Sequence, residues 1–186
     1  MTISAPRREL LLDAAADLFA ARGYHAVGID DIGAAAGISG PGVYRHFAGK
    51  QALLEDLCDR AMTRMLDGAL SLSKGTTSDG PLEALVDLHV EFAVGERALL
   101  GVWAREQRAL SDDVRRSLRT RQREYERAWA EVAGRLRDDL GADEVRVAVT
   151  STLALLNSTA LVETTVPPDR LRALLRRMAL AALLTR

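Results

Sequence analysis

Four side chains close together in the sequence carry groups that suit a polyanion: Tyr44, Arg45, His46 and Lys50. A phenol, a guanidinium, an imidazole and an ammonium donate to phosphate oxygens and to base edges. Arg45 is the one long cation of its segment, and a guanidinium matches guanine O6 and N7 together. Lys50 stands where a phosphate contact is expected. Ahead of them runs the bare stretch Gly40-Pro41-Gly42. It offers few side-chain hydrogen bonds but lets backbone approach a base edge closely, so part of any specificity is expected from DNA shape. Tyr44 packs its ring into a small core with the hydroxyl outward, faces a ligand, or does both. Phe47 is expected in the core.

These residues need elements to hold them. Ile29–Ala36 reads as a short helix, Gly37-Ile38 as a tight turn, and 40–47 as a second helix capped by Ser39. Gly28 caps the first of the pair, where glycine is tolerated. Two short helices joined through a glycine turn, the second bearing polar and aromatic residues, follow the plan of a DNA-reading helix-turn-helix. Before them, Leu11, Ala15, Leu18 and Phe19 form a helical stripe over 7–22, with Pro6 at its start and Gly23 at its stop. Helical spacing continues over 50–73, from Leu53 to Leu72, and KGTTSDG at 74–80 reads as a loop.

Pro81 opens a helix bearing Leu85, Leu88, His89 and Phe92, and a further helix is expected over 96–109. Ser111-Asp112-Asp113 starts a long one, with acids at the positive end of its dipole. Helices over 143–165 and 169–185 complete the chain. No strand alternation of any length appears, so the fold class is all-α with roughly nine helices. The expected division is a helix-turn-helix domain over 1–50 and a larger helical domain over 51–186, with 51–73 as the connecting helix.

The first third of the chain, residues 7–57, resembles the tetracycline-repressor (TetR) family of bacterial regulators. The likeness rests on Ala14–Phe19 with Gly23-Tyr24, Ile29–Gly37, Ile38-Ser39, Val43-Tyr44, His46-Phe47 and Lys50–Leu54. The pattern Tyr-x-His-Phe, then Lys, then Leu-Leu is distinctive. The resemblance implies a two-fold dimer that represses transcription and leaves its inverted-repeat operator when a small molecule enters the C-terminal domain. One departure stands at Gly28, where the family often has Ser or Thr. Glycine lacks the hydroxyl, so a phosphate contact there falls to backbone N–H.

The larger domain mixes aromatic and polar groups on apolar stripes: His89, Phe92, Trp103, Tyr125, Trp129 and Asn157. These residues suit a cavity for a mainly apolar ligand with a few polar anchors. Arg105 beside Trp103 suits a carboxylate or phosphate, so the expected effector is lipophilic, an acyl-coenzyme A or fatty acid. For the dimer, one stripe is expected through Val149, Leu153, Leu156 and Ala160 and another through Leu171, Leu175 and Met178. The arginine-rich stretch 115–127 is expected to pair with glutamates along a wet helix face.

Composition narrows the classes. Apolar residues at 48% and charged ones at 27% are ordinary for a soluble domain. The net charge of −1 gives no global pull toward nucleic acid, and the five bases of residues 1–50 balance five acids. What favours DNA is placement, since Arg45, His46 and Lys50 gather at one edge. One cysteine, Cys58, excludes an intrachain disulfide. With no secretion pattern and no span-length apolar run, a cytoplasmic protein without membrane contact is expected. The three histidines lack metal-ligand spacing, and no cofactor is expected. No phosphate loop, dinucleotide signature or nucleophile–base set occurs, and each adjacent acid pair splits across two helix faces, so no enzyme is expected. The competing reading is a helical small-molecule-binding protein without sequence-specific DNA binding.

Overall fold

The computed structural model describes residues 7–75 and 80–185. Among them are nine α-helices and no strands. They are α1 Arg7–Arg22, α2 Ile29–Ala35, α3 Gly40–Val43, α4 Lys50–Lys74, α5 Pro81–Gly95, α6 Arg97–Glu106, α7 Asp112–Leu136, α8 Ala142–Asn157 and α9 Pro168–Leu184. Pro6 and residues 76–79 of the expected loop lie outside the described residues.

Two bounds differ from expectation. Regular α3 stops at Val43, because Gly40-Pro41-Gly42 supplies little helix propensity, and Tyr44–His46 follow as a turn. α8 ends at Asn157 and tightens into a 3₁₀ turn over Ser158–Leu161. That turn is pinned by Thr159 Oγ1, which donates to Ala93 O at 3.2 Å, and by Arg97 Nη2, which donates to Thr159 O at 2.8 Å.

The chain forms two compact units. The first comprises Met1–Arg60 and Ala98–Arg116, the second Ala61–Arg97 and Ser117–Arg186. This differs from the expected division at residue 50, because α6 and the opening of α7 fold with the N-terminal helices. Two tertiary hydrogen bonds hold them there. Tyr24 N–H donates to Glu106 Oε1 at 3.3 Å, and Ser111 N–H donates to Glu55 Oε1 at 2.9 Å. Burial draws the Glu55 carboxyl upward, but hydrogen bonds from Ser111 and Gln51 outweigh it and hold it below its ordinary value.

In the first unit α1 packs on α2 and α2 on α3, around Leu11, Ala15, Phe19, Ile32, Val43, Leu53 and Leu54, all buried. Arg8 and Arg60 both reach Asp56, at 2.9 and 3.0 Å, tying α1 to α4. In the second unit α5, α8 and α9 pack against one another. Their apolar stripes meet Tyr125, Trp129 and Val132 of α7 in one continuous core.

Candidate nucleic-acid interface

The α2–α3 pair is set by glycines doing different jobs. Gly28 precedes α2 in an extended conformation, and its N–H donates to Asp31 Oδ2 at 2.8 Å. The cap is therefore made by backbone and Asp31, with no hydroxyl needed. Gly33 sits where the helices touch. A Cβ there would lie 2.6 Å from the carbonyl oxygen of Ile38 and 3.1 Å from Val43 Cγ2, so only glycine admits this crossing. Gly37 takes φ +67° to reverse the chain, and Ile38 N–H returns to Gly33 O at 2.8 Å. Gly33 was not foreseen as a structural position; its one signal is a glycine inside a helical pattern, which usually has a packing cause.

Ser39 stands at the N-cap of α3, but its side chain makes no capping hydrogen bond. The cap expected from its hydroxyl is replaced by backbone alone. The bare first turn lies against the ends of two side chains: a Cβ on Gly40 would meet the exposed Asp30 carboxylate, which can turn aside, and one on Gly42 would lie 2.8 Å from Ile38 Cγ2. Pro41 is exposed between them. Val43 is fully buried and Phe47 nearly so, so α3 is clamped from within. The next three residues face solvent: Tyr44 is 60% exposed, and Arg45 and His46 are exposed as well. The Tyr44 ring is thus not part of the small core.

Lys50 does something other than reach outward. Its Nζ donates to Tyr24 O at 2.8 Å and stands 4.4 Å from the centre of the Tyr24 ring. The ammonium expected on a phosphate is engaged by a carbonyl of the α1–α2 connection.

The second unit buries a polar chain. His89 Nε2–H donates to Asn157 Oδ1 at 2.9 Å, which leaves Nδ1 to accept from the Tyr125 hydroxyl at 2.8 Å. Burial holds the imidazole pKa down at about 4, against a smaller upward pull from Asn157, so it is neutral near pH 7. Burial also pushes the Tyr125 phenol well above its ordinary value. The indole N–H of Trp129 works the other way without reaching hydrogen-bond geometry, and it is buried with no partner. The rings of Phe92 and Trp129 stand 6.4 and 6.0 Å from that of His89. Five of the seven expected pocket residues therefore come together. Trp103 and Arg105 lie on α6, which belongs to the first unit.

This geometry can be set beside known proteins. A family model described as "Bacterial regulatory proteins, tetR family" matches residues 11–57, and one described as "Tetracyclin repressor-like, C-terminal domain" matches 75–161. The transcriptional repressor KstR2 of Mycolicibacterium smegmatis is 30% identical over 151 residues, covering 76% of this chain and 73% of that protein. The chain belongs to the TetR family of bacterial transcriptional regulators. The transcriptional activator FasR of the same organism is 37% identical over 87 residues, 46% of this chain but only 40% of FasR. Among solved structures, KstR2 of Mycobacterium tuberculosis superposes with TM-score 0.80 at 21% identity, covering 99% of this chain and 98% of that one. AibR, in complex with isovaleryl coenzyme A and operator DNA, superposes with TM-score 0.78 at 18% identity, covering 96% and 99%.

In this TetR-family chain the residues expected at a dimer interface divide. Val149, Leu153, Leu156 and Leu175 are buried within the protomer's own core, and their stripe is the inward one. Ala160 and Leu171 are half-buried, and Met178 is 41% exposed. The exposed apolar residues lie on other faces of the same helices: Val147 at 61% on α8, then Leu174, Met178 and Leu184 on α9. No described helix is long and apolar enough to cross a membrane.

Proposed function

We propose that this TetR-family regulator is a homodimeric repressor that holds an inverted-repeat operator and releases it when a lipophilic effector enters the second unit. The observation that carries the reading is the outward row Tyr44, Arg45 and His46 on a segment clamped from within by Val43 and Phe47. That row, with the backbone of Gly28 and of Ser39–Gly42, forms the DNA-contacting edge. Arg45 reads a guanine, and the other groups position the unit on phosphates. Dimerisation uses the exposed set Val147, Leu174 and Met178 with the small residues Ser151 and Ala154, which permit close helix approach. Two heads related by a two-fold axis match a two-fold operator.

The effector site centres on His89, Tyr125, Asn157 and Trp129, with Phe92 at its edge. A neutral imidazole, a phenol, an amide and an unpartnered indole N–H suit a carbonyl better than a carboxylate, since a buried anion without a cation is heavily penalised. An acyl thioester is the favoured class. Among the regulators named above, AibR is bound to isovaleryl coenzyme A, which supports that choice. The unit boundaries are crossed by chain at 60–61, 97–98 and 116–117, so a shift around the cluster is transmitted through continuous helices.

Selection of genomic fragments on the purified protein, with sequencing, tests the reading. An enriched inverted repeat whose affinity falls on addition of medium-chain acyl-coenzyme A supports it. Salt-dependent binding with no enriched sequence favours a ligand-binding protein instead.

A further inference from the structure

The arginine-rich face of α7 behaves differently from a paired surface. Arg115 and Arg116 pair with Asp112 and Asp113. Further along, Arg119, Arg123 and Arg127 are exposed and form no ion pair with a described carboxylate. Arg123 donates to the Thr120 hydroxyl at 3.3 Å, and Glu126 takes a hydrogen bond from Gln122 at 3.0 Å. Four residues advance a helix by about 6 Å, so the three guanidinium groups stand in a row on one face. Like charges at that spacing repel; Glu126 and Glu131, three and four residues beyond Arg123 and Arg127, offset part of this without forming ion pairs, and an anion relieves the rest.

The row ends at a groove. Arg127 and Glu131 stand on its lip, and Ala130, Gly134, Leu140 and Val145 line it, between the end of α7 and the start of α8. Its volume is about 390 Å³, within the range of small-molecule sites. A Cβ built on Gly134 would meet only Val145 Cγ1, at 3.9 Å, so the trough is open at that point.

An apolar trough with unpaired cations leading into it names its occupant by chemistry. We propose that the α7–α8 groove binds a soluble single-chain amphiphile with an anionic head, the chain lying over Gly134, Leu140 and Val145 and the head held by Arg123 and Arg127. Guanidinium groups take carboxylate or phosphate in bidentate fashion. Glu131 repels an anion from the trough itself and so sets the direction in which the amphiphile lies. The site is separate from the His89 cluster and stands whether or not that cluster takes an effector.

The test is a methyl-NMR titration of the full chain with monomeric dodecyl phosphate. The Leu140 and Val145 methyl signals should shift and saturate. Arg123→Ala with Arg127→Ala should weaken binding about tenfold or more, the loss expected for charged hydrogen bonds. Gly134→Leu, which fills the trough from an exposed helix position, should abolish the shifts while the helical circular dichroism is retained. The proposal is overturned if the double variant binds as well as the parent, or if only core methyls such as those of Leu85 and Val86 respond. It is also overturned if dodecyl maltoside, with the same chain and no charge, binds with equal affinity, or if only anionic vesicles bind.

Discussion

The ammonium of Lys50 lies 2.8 Å from the carbonyl oxygen of Tyr24 and 4.4 Å from the centre of the same residue's ring. One side chain thus fastens the first turn of α4 to the loop that launches the helix-turn-helix. A charged hydrogen bond of this kind contributes about 1.5–3 kcal/mol, and the ring contact adds roughly 0.5–1 kcal/mol at a partly exposed site. Lys50→Met should lower unfolding stability by about 1–3 kcal/mol in urea. It should leave the salt dependence of DNA affinity unchanged. A salt slope reduced by about one unit would return Lys50 to the phosphate role.

Arg45→Ala should cost about 1–3 kcal/mol in affinity for the selected operator, read by competition binding. Affinity for unrelated DNA should change little. Equal loss on both would make Arg45 a backbone contact.

Gly33 and Gly37 test two kinds of glycine. Gly33→Ala forces a Cβ to within 2.6 Å of a carbonyl oxygen, and the helix crossing must open to admit it. Gly37→Ala meets no atom within 4 Å and carries only the strain of φ +67°, about 1–2 kcal/mol. Thermal unfolding should show the larger loss at Gly33, and DNA binding should disappear there first. The reverse order would contradict the crossing geometry.

Acid should loosen the second unit through His89. Its folded pKa of about 4 lies below the ordinary 6.5, so between those values the unfolded chain binds more protons. Stability is then fully present above about pH 6.5 and is lost as pH falls toward 4, by roughly 3 kcal/mol across the window. His89→Gln should flatten that part of the profile relative to the parent, with carboxylate titration common to both. Parallel profiles in urea denaturation from pH 4 to 7 would count against a neutral buried imidazole.

The exposed stripe separates assembly from folding. Val147→Glu with Met178→Glu should yield a folded monomer by sedimentation at micromolar concentration. Leu156→Ala should instead destabilise the protomer by about 2–5 kcal/mol, and dimers should persist among the folded molecules. A parent protein that sediments as a monomer would remove the dimer altogether.

Much of this was legible from spacing. The period of α1 and the order of the helices followed from apolar stripes and from Gly and Pro punctuation, and the His89, Tyr125, Trp129 and Asn157 grouping from polar residues on those stripes. Other features depend on tertiary contacts that local pattern does not encode. Trp103 and Arg105 sit on an ordinary amphipathic helix, and its place in the first unit rests on tertiary contacts such as the Tyr24–Glu106 hydrogen bond. On α8 the strong stripe through Val149 and Leu156 is the inward one. The weaker one through Val147, Ser151 and Ala154 is hidden by small and polar residues. The engagement of Lys50 with the Tyr24 carbonyl is likewise a tertiary contact that spacing does not encode.

The segment Ala98–Arg116 belongs to the same unit as Met1–Arg60, and this limits how such a chain can be recombined. A gene fusion that carried residues 1–60 onto a foreign partner would leave the Tyr24 amide and the Glu55 carboxylate without Glu106 and Ser111. New pairings of head and sensor must therefore bring a matching insert from the middle of the gene. Because both bonds are donated by backbone N–H, any residue except proline keeps them at positions 24 and 111, whereas the acceptors Glu55 and Glu106 must be retained.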